Sequence, residues 1–141
     1  MDNNIEYDFI FWQRNNDANL AYIGDNAYVF TYKTRKSKLS KLLPFYLWRR
    51  FARKVIINNN YDFLVVCTTI PAILLTDILT KKYRKKYLLD IRDYTYENIC
   101  LFRKLENRIL DAAGMIVVSS KGFLDWLSSE YEYVLTHNIS L

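Results

Sequence analysis

Lys86-Tyr-Leu-Leu-Asp-Ile-Arg-Asp93 is an apolar run that ends in three charges within four residues, and it determines the predicted fold. Its length and composition are typical of a buried β-strand. Charges at the end of such a strand are either well paired or lie at the mouth of a cleft, because an apolar interior does not tolerate isolated charges. In open α/β sheets ligands bind beyond the carboxyl ends of the strands, so Asp90, Arg92 and Asp93 are candidate site residues.

Strands and helices alternate on both sides of this run. Strands are predicted at residues 5–12, 27–32, 61–67, 87–91, 114–119 and 131–135, and helices at 40–57, 68–83, 97–113 and 122–128. Strands that alternate with helices of this length indicate a parallel sheet with right-handed crossovers. We therefore predict an α/β fold, a Rossmann-like parallel sheet with helices on both faces, in a single domain over residues 1–141.

Length and composition favour a globular chain with a basic surface. The chain has 141 residues, of which 51% are hydrophobic and 16% aromatic, and its formal net charge is +5. This length is enough for one sizeable core, and the positive charge makes a polyanionic partner plausible. No apolar run approaches the eighteen residues of a membrane span, and the amino terminus does not resemble a signal peptide, so we expect a soluble or peripheral protein.

The rare residue types exclude several classes of enzyme. Three scattered glycines cannot build a Gly-rich phosphate loop, so a self-contained NAD enzyme or P-loop NTPase is not expected. The single histidine, His137, excludes a histidine-based metal cluster, and we expect neither a metal nor a cofactor. Cys67 and Cys100 lack metal-ligand or redox spacing, so we predict that they are reduced core residues of a cytoplasmic protein.

Polar residues follow four successive apolar strands. They are Thr68 and Thr69, Arg92 and Asp93, Ser119, Ser120 and Lys121, and Thr136, His137 and Asn138. A parallel sheet brings all four groups to one edge, where they would form a cleft. The alternative is that the threonines and serines only cap helices. For Asp93, three charges within four residues exceed what a helix cap requires, and we favour a functional role.

The second half of the chain resembles a known family of enzymes. The matching pieces are Tyr61-Asp-Phe-Leu-Val-Val, Lys86-Tyr-Leu-Leu-Asp-Ile-Arg-Asp-Tyr, Leu105-Glu106 before Leu110-Asp-Ala-Ala, Ile116-Val-Val-Ser-Ser-Lys-Gly-Phe123 and the closing Thr136-His-Asn. In this order they are similar to the N-terminal, acceptor-side domain of a GT-B glycosyltransferase of the family 4 kind, as in capsule, exopolysaccharide and O-antigen synthesis. The resemblance covers residues 61–138, more than half of the chain.

The resemblance implies roles for the polar residues. Asp93 would be catalytic, orienting or deprotonating an acceptor hydroxyl, and Arg92 would hold a phosphate or a sugar carboxylate. Ser119, Ser120 and Lys121 would face the partner domain, and His137 and Asn138 would lie at the interdomain crossover. Thr68 and Thr69 are substrate-binding candidates by their place at a strand end and not by the resemblance. The donor would be a nucleotide sugar, bound mainly by a C-terminal domain that this sequence lacks. The family's first strand also has no counterpart here, so we expect this piece alone to be an inactive part of a hexosyltransferase.

The predicted helix over residues 40–57 has a basic half, with Arg49, Arg50, Arg53 and Lys54 opposite an apolar half. The basic half fits an anionic membrane surface, so we predict a cytoplasmic protein that is peripheral on the inner face of the membrane. The alternative is a crossover helix whose apolar half simply covers its sheet. A second functional hypothesis is a non-catalytic membrane-associated assembly partner of a separate transferase. Nucleic-acid binding is disfavoured because the aromatic residues lie inside apolar segments rather than between cations.

Overall fold

The computed structural model describes residues 5–13, 26–32, 42–92 and 100–136. The chain divides into two compact units, Met1–Asn60 and Tyr61–Leu141. Parallel strands alternate with helices, so the α/β class and the Rossmann-like architecture predicted from the sequence are confirmed. The assignment of a single domain to residues 1–141 stays a prediction. None of the described helices is both long and apolar enough to cross a membrane.

The first unit contains a parallel strand pair and a long helix. Strands β1 (Phe9–Gln13) and β2 (Ala27–Thr31) pair in parallel, with Phe9 opposite Ala27. Aromatic contacts join this strand pair to the long helix over Leu43–Asn59. The Trp12 ring meets Phe30 and Phe45 edge to face, at centroid distances of 5.8 and 5.1 Å. Each such pair contributes about 0.5–1.5 kcal/mol beyond the area that it buries.

Helix α1 spans Leu43–Asn59, close to the predicted 40–57. Pro44 lies in its first turn, where the missing backbone N–H costs no helical hydrogen bond. The helix ends at Asn60, which takes the left-handed conformation with φ of 47°. Asn59 Nδ2 donates to the Tyr28 hydroxyl at 3.1 Å, which ties this end of α1 to β2. The residues of α1 that are buried are Pro44, Trp48, Ala52, Val55 and Ile56.

The second unit is built on a four-stranded parallel sheet. Its strands are β3 (Leu64–Cys67), β4 (Tyr87–Ile91), β5 (Met115–Val118) and β6 (Val134–Leu135). They lie side by side in chain order, so each strand adds to the edge formed by the previous one. In this register Cys67 lies beside Asp90, Asp90 beside Val117, and Val117 beside Val134.

The described helices of this unit cover one face of the sheet. Helices α2 (Thr69–Leu74) and α3 (Thr76–Leu79) connect β3 to β4, and α4 (Cys100–Ala112) connects β4 to β5. Right-handed crossovers between parallel strands in consecutive order place their helices on the same face, and both α2 and α3 contact α4. The Tyr87 hydroxyl donates to the carbonyl oxygen of Ile109 on α4. The core between sheet and helices contains Val66, Leu79, Tyr87, Leu89, Ile91, Ile109, Leu110, Ile116 and Val118.

The opposite face of the sheet is more open, which corrects one expectation. Val65 is 64% exposed, Met115 and Val134 are about half exposed, and Cys67 is exposed. The prediction that Cys67 is a core residue is therefore wrong. Successive side chains of a strand point to opposite faces, so Val66 enters the helix-covered core while its two neighbours do not. The side chain of Cys100 lies outside the described residues.

The helix predicted over residues 68–83 is shorter and broken. It is replaced by α2 and α3, and the described chain continues in turns from Thr80. Thr76 Oγ1 donates to the Ile73 carbonyl oxygen at 2.7 Å, and Thr80 Oγ1 donates to the Thr76 carbonyl oxygen at 2.8 Å. Threonine hydroxyls that bond to backbone carbonyls bend or interrupt helices, which accounts for the break. The helix predicted over 122–128 is a short 3-10 turn at Lys121–Phe123.

Candidate functional site

Polar residues from neighbouring strands align at the carboxyl edge of the four-stranded sheet. Ser119 N donates to the Ile91 carbonyl oxygen at 3.3 Å, and Thr136 N donates to the Val118 carbonyl oxygen at 2.9 Å. These bonds continue the parallel register one residue past the strands, so Arg92, Ser119 and Thr136 form a row across β4, β5 and β6. Neighbouring strands lie about 4.8 Å apart, so the row is about 10 Å long.

Asp90 lies beneath this row, inside β4. The residue is 8% exposed, and its carboxylate Oδ2 accepts a hydrogen bond from Arg92 Nε at 2.7 Å. Residues two apart on a strand point to the same face, so the two side chains meet without distortion of the backbone. Apolar burial of a carboxylate is unfavourable unless a cation pairs with it, and Arg92 supplies that cation.

Arg92 is the exposed member of the pair. Its side chain is 53% exposed, whereas that of Asp90 is 12% exposed. The hydrogen bond to Asp90 and the negative charge of that carboxylate raise the pKa of Arg92 further above its already high value. The guanidinium is therefore a permanent cation at the sheet edge. Among the described residues it bonds only to Asp90, so the terminal nitrogens are available to an anionic ligand such as a phosphate or a carboxylate.

Thr68 has a strained backbone next to this pair. Its φ and ψ are 72° and 158°, a region that is almost restricted to glycine. Thr68 N donates to the Asp90 carbonyl oxygen at 2.8 Å, so the strained residue is fixed directly against β4. The hydroxyl of Thr68 does not cap α2, and the neighbouring Thr69 Oγ1 is buried without a hydrogen-bond partner in the described part of the chain. Strain of about 1–3 kcal/mol clusters at functional sites.

Comparisons of this chain with protein-family models, curated proteins and solved structures found no match.

The structure brings together part of the predicted site. Thr68, Arg92 and Ser119 lie at the carboxyl edge as predicted, with Thr69 at the first position of α2. Ser120 Oγ accepts a hydrogen bond from Gly122 N at 3.2 Å, which is the capping role that was the alternative for this residue. Lys121 follows it and is exposed. The other predicted residues, Asp93, His137 and Asn138, lie outside the described residues.

The cations predicted to face a membrane are not equally exposed. Arg50 and Lys54 are exposed, and the Arg50 guanidinium lies 6.0 Å from the centre of the Tyr46 ring. Arg49 and Arg53 are only partly exposed, and both make contacts within the protein. The basic half of α1 therefore offers two exposed cations rather than four.

Two features of the site had weak or no sequence signals. The pairing of Asp90 with Arg92 fits the general expectation that charges at the end of an apolar strand are either paired or at a cleft. The backbone of Thr68 gave no signal, because threonine rarely adopts a positive φ.

Within the described residues, no group of three or more His, Cys, Asp or Glu side chains is placed to hold a metal ion. Arg92 is the described residue best placed to bind an anionic group.

Proposed function

We propose that this chain is the acceptor-binding domain of a nucleotide-sugar-dependent glycosyltransferase that builds surface polysaccharides or glycoconjugates. The observation that supports the proposal is the row of Arg92, Ser119 and Thr136 at the carboxyl edge of a parallel sheet, where α/β enzymes bind their substrates. The sequence resemblance of residues 61–138 to GT-B enzymes of family 4 supports the same conclusion.

In this proposal the described residues bind the acceptor. Arg92 pairs with a negative group of the acceptor, and Ser119 supplies a neutral hydrogen-bonding group beside it. Asp93, next in sequence, orients or deprotonates the acceptor hydroxyl. Lys121 faces the donor side, and a separate domain binds the nucleotide sugar.

The exposed cations of α1 fit a location at the inner face of a membrane. Arg50 and Lys54 each contribute about 1 kcal/mol near an anionic leaflet. They also favour a second candidate, a non-catalytic membrane-associated assembly partner of a separate transferase. Co-purification with a donor-binding protein would support that candidate, whereas a donor domain encoded in the same reading frame would exclude it.

The test is the Asp93→Ala variant of the full-length enzyme together with its donor domain or donor subunit. We expect kcat for sugar transfer to fall by at least about 100-fold, because loss of a general base removes that much rate. Asp62→Ala is the matched control, since Asp62 is an exposed aspartate before the amino end of β3, and its variant should transfer sugar normally. Circular dichroism checks that both variants are folded. Undiminished turnover by Asp93→Ala would refute the site assignment.

A further inference from the structure

Strand β3 lies at the edge of the four-stranded sheet, although its sequence is that of an inner strand. The described strands run in the order β3, β4, β5 and β6, so one side of β3 has no described neighbour. An unbroken apolar run such as Leu64–Cys67 is typical of inner strands of parallel sheets, which are buried on both faces. The composition of β3 and its position in the sheet therefore disagree.

Natural edge strands carry features that prevent them from pairing with another chain, and β3 has none of these. Such features are charged side chains, proline, a bulge or a very short strand. Residues 63–69 contain neither a charge nor a proline, and the pairing of β3 with β4 continues without a bulge from Leu64 to Cys67. At the other edge of this sheet β6 has only two residues, Val134 and Leu135. Of these two edges, β3 is the unprotected one.

The backbone of β3 carries hydrogen-bonding groups that point away from β4. The N–H groups of Leu64 and Thr68 donate to carbonyl oxygens on the β4 side, at 3.1 and 2.8 Å. Successive backbone N–H and C=O groups of a strand point to opposite sides, so the residues between these two alternate in direction. Val65 and Cys67 therefore each direct an N–H and a C=O group outward, where no described strand pairs with them.

The exposure of the side chains favours an added strand over a covering helix. Val65 is 64% exposed, whereas Leu88, its register neighbour on β4, is only partly exposed. Cys67 is exposed as well, whereas Asp90 beside it is buried. Between these two strands burial is lost at β3 and not at β4. The open space therefore lies beside β3 rather than above the sheet.

A second copy of this chain is the occupant that requires the least ordering. A flexible segment must be ordered residue by residue, and ordering one residue costs at least as much free energy as one backbone hydrogen bond contributes net. In a second copy β3 is already held in its own sheet by β4. Because the edge is uncharged, two chains that each carry a net charge of +5 can also meet there without opposing charges in the contact.

We propose that two copies of this chain pair through β3 as antiparallel strands, with a two-fold axis at Val66. Val65 of each copy then faces Cys67 of the other, and each of these pairs exchanges both of its backbone N–H···O bonds. This register leaves no outward group of Val65 or Cys67 without a partner. The inference is independent of the proposed function, because none of these three residues belongs to the proposed binding site.

The antiparallel arrangement keeps a basic cluster of one copy away from the same cluster of the other. The cluster precedes β4, and its exposed cations are Lys81, Lys82, Arg84, Lys85 and Lys86. Lys86 lies three positions before Leu89, which is the register partner of Val66. In the dimer the two copies of Lys86 are therefore about 20 Å apart along the strands. This distance exceeds the screening length of about 8 Å at physiological salt, so the clusters do not oppose the pairing.

Analytical ultracentrifugation of the purified full chain under reducing conditions tests the proposal. The four residues that β3 contributes are far fewer than the roughly 20–30 residues a side of a standard interface, so the association should be weak. We expect the weight-average mass to rise from that of one chain toward that of two as the protein concentration increases from about 10 µM to about 1 mM.

Variants of Val65 separate the backbone contact from the side chain. Val65→Pro removes an outward N–H group and no bond to β4, and proline is tolerated on an edge strand at such a position. It should raise the dimer Kd at least about tenfold, because both copies lose a hydrogen bond. Val65→Thr is the matched control: it keeps the N–H group and the β-branched shape, and should change the Kd less than about threefold. If Val65→Pro does not fold, Val65→Lys places a charge on the edge and should raise the Kd in the same way.

Disulfide formation checks the register of the two strands. Val65→Cys places a thiol opposite Cys67 of the other copy, so mild oxidation should give a covalent dimer on a non-reducing gel. Val134→Cys is the control, because Val134 is an exposed residue of the other edge strand, and its variant should cross-link more slowly. The unchanged chain should also cross-link slowly, because the two Cys67 residues are offset by two positions, which exceeds the reach of about 7 Å for a disulfide.

Three results would overturn the inference. A chain that stays monomeric over the whole concentration range would refute it, and this includes the case in which a strand of another protein occupies the edge. Association of folded Val65→Pro and Val65→Lys that equals that of the unchanged chain would exclude β3 as the contact. Equal cross-linking rates of Val65→Cys and Val134→Cys would exclude the two-fold axis at Val66.

Discussion

Replacement of Gly114 by alanine should destabilise the second unit. A Cβ atom at this position would lie 2.7 Å from the Lys85 carbonyl oxygen and 3.3 Å from that of Tyr87. The first distance is 0.7 Å inside the 3.4 Å at which ordinary contact begins. Both obstructing atoms belong to the backbone at the start of β4, so no side chain can rotate away to make room.

The backbone around Gly114 is fixed by hydrogen bonds, which sets the size of the effect. Gly114 N donates to the Tyr87 carbonyl oxygen at 2.8 Å, and Lys85 N donates to the Ala112 carbonyl oxygen at 2.7 Å. Lys85 itself is in the left-handed region with φ of 61°. Overpacking costs about 1–3 kcal/mol, and a weakened backbone hydrogen bond adds about 1 kcal/mol. We therefore expect Gly114→Ala to lower the free energy of unfolding by about 2–4 kcal/mol.

Urea unfolding followed by circular dichroism measures this change. With an m-value of about 2 kcal/mol/M, the urea midpoint should move down by about 1–2 M. Gly122→Ala is the matched control, since among the described residues its Cβ would meet only Ser120 Oγ, at 3.6 Å, and its urea midpoint should barely move. If Gly114→Ala unfolds at the same urea concentration as Gly122→Ala, the close approach between Gly114 and the start of β4 does not exist.

Three further changes test other parts of the structure. Thr68→Gly should stabilise the chain by about 1 kcal/mol, because relief of the strained backbone exceeds the entropic cost of glycine; a lower urea midpoint would contradict the strain. Burial, followed by the charges of its neighbours, raises the pKa of Tyr133 from 10.0 to about 12. As the pH rises, the Tyr133 hydroxyl loses its proton at a lower pH in the unfolded state than in the folded state. The contribution of Tyr133 to the free energy of unfolding is therefore fully present below about pH 10 and is lost as the pH rises toward 12. When the free energy of unfolding is measured at increasing alkaline pH, it should fall less steeply for Tyr133→Phe than for the parent chain, although the variant lacks the hydrogen bond to the Ser128 carbonyl oxygen. An unchanged slope would exclude Tyr133 as a cause of the pH dependence. Asp111→Asn should change the free energy of unfolding by less than about 0.5 kcal/mol, since its pair with Arg84 is exposed, and a loss above 1 kcal/mol would show that the pair is not screened.

Much of the fold was predictable from hydrophobic pattern alone. The strand at Tyr87–Ile91 has the predicted bounds, and α1 lies within a few residues of its predicted range. Both are long or strongly apolar segments, for which periodicity is most informative. The parallel direction of the strands could be predicted from the helices between them. Parallel strands need a long crossover connection such as a helix, whereas a two-residue hairpin joins antiparallel strands.

The failures have local physical causes. An unbroken apolar run such as 61–67 does not show which of its side chains will face a covered surface, so the exposure of Val65 and Cys67 could not be predicted. The helix break depended on side-chain hydrogen bonds of Thr76 and Thr80, which compete with the backbone only in the folded geometry. The alignment of the strand ends at the site could be predicted from the order and direction of the strands. The hydrogen bond from Arg92 Nε to the Asp90 carboxylate could be seen only in the structure.

The chain order of β3 to β6 has a consequence for synthesis on the ribosome. Leu64 pairs with Tyr87, 23 positions later, Leu88 pairs with Met115 after 27, and Val117 pairs with Val134 after 17. When β4, β5 and β6 emerge, the strand that each of them pairs with has therefore already been made, and β3 waits only for β4. Loop closure over such similar spans carries similar entropic costs, so the sheet can grow one strand at a time in the direction of translation.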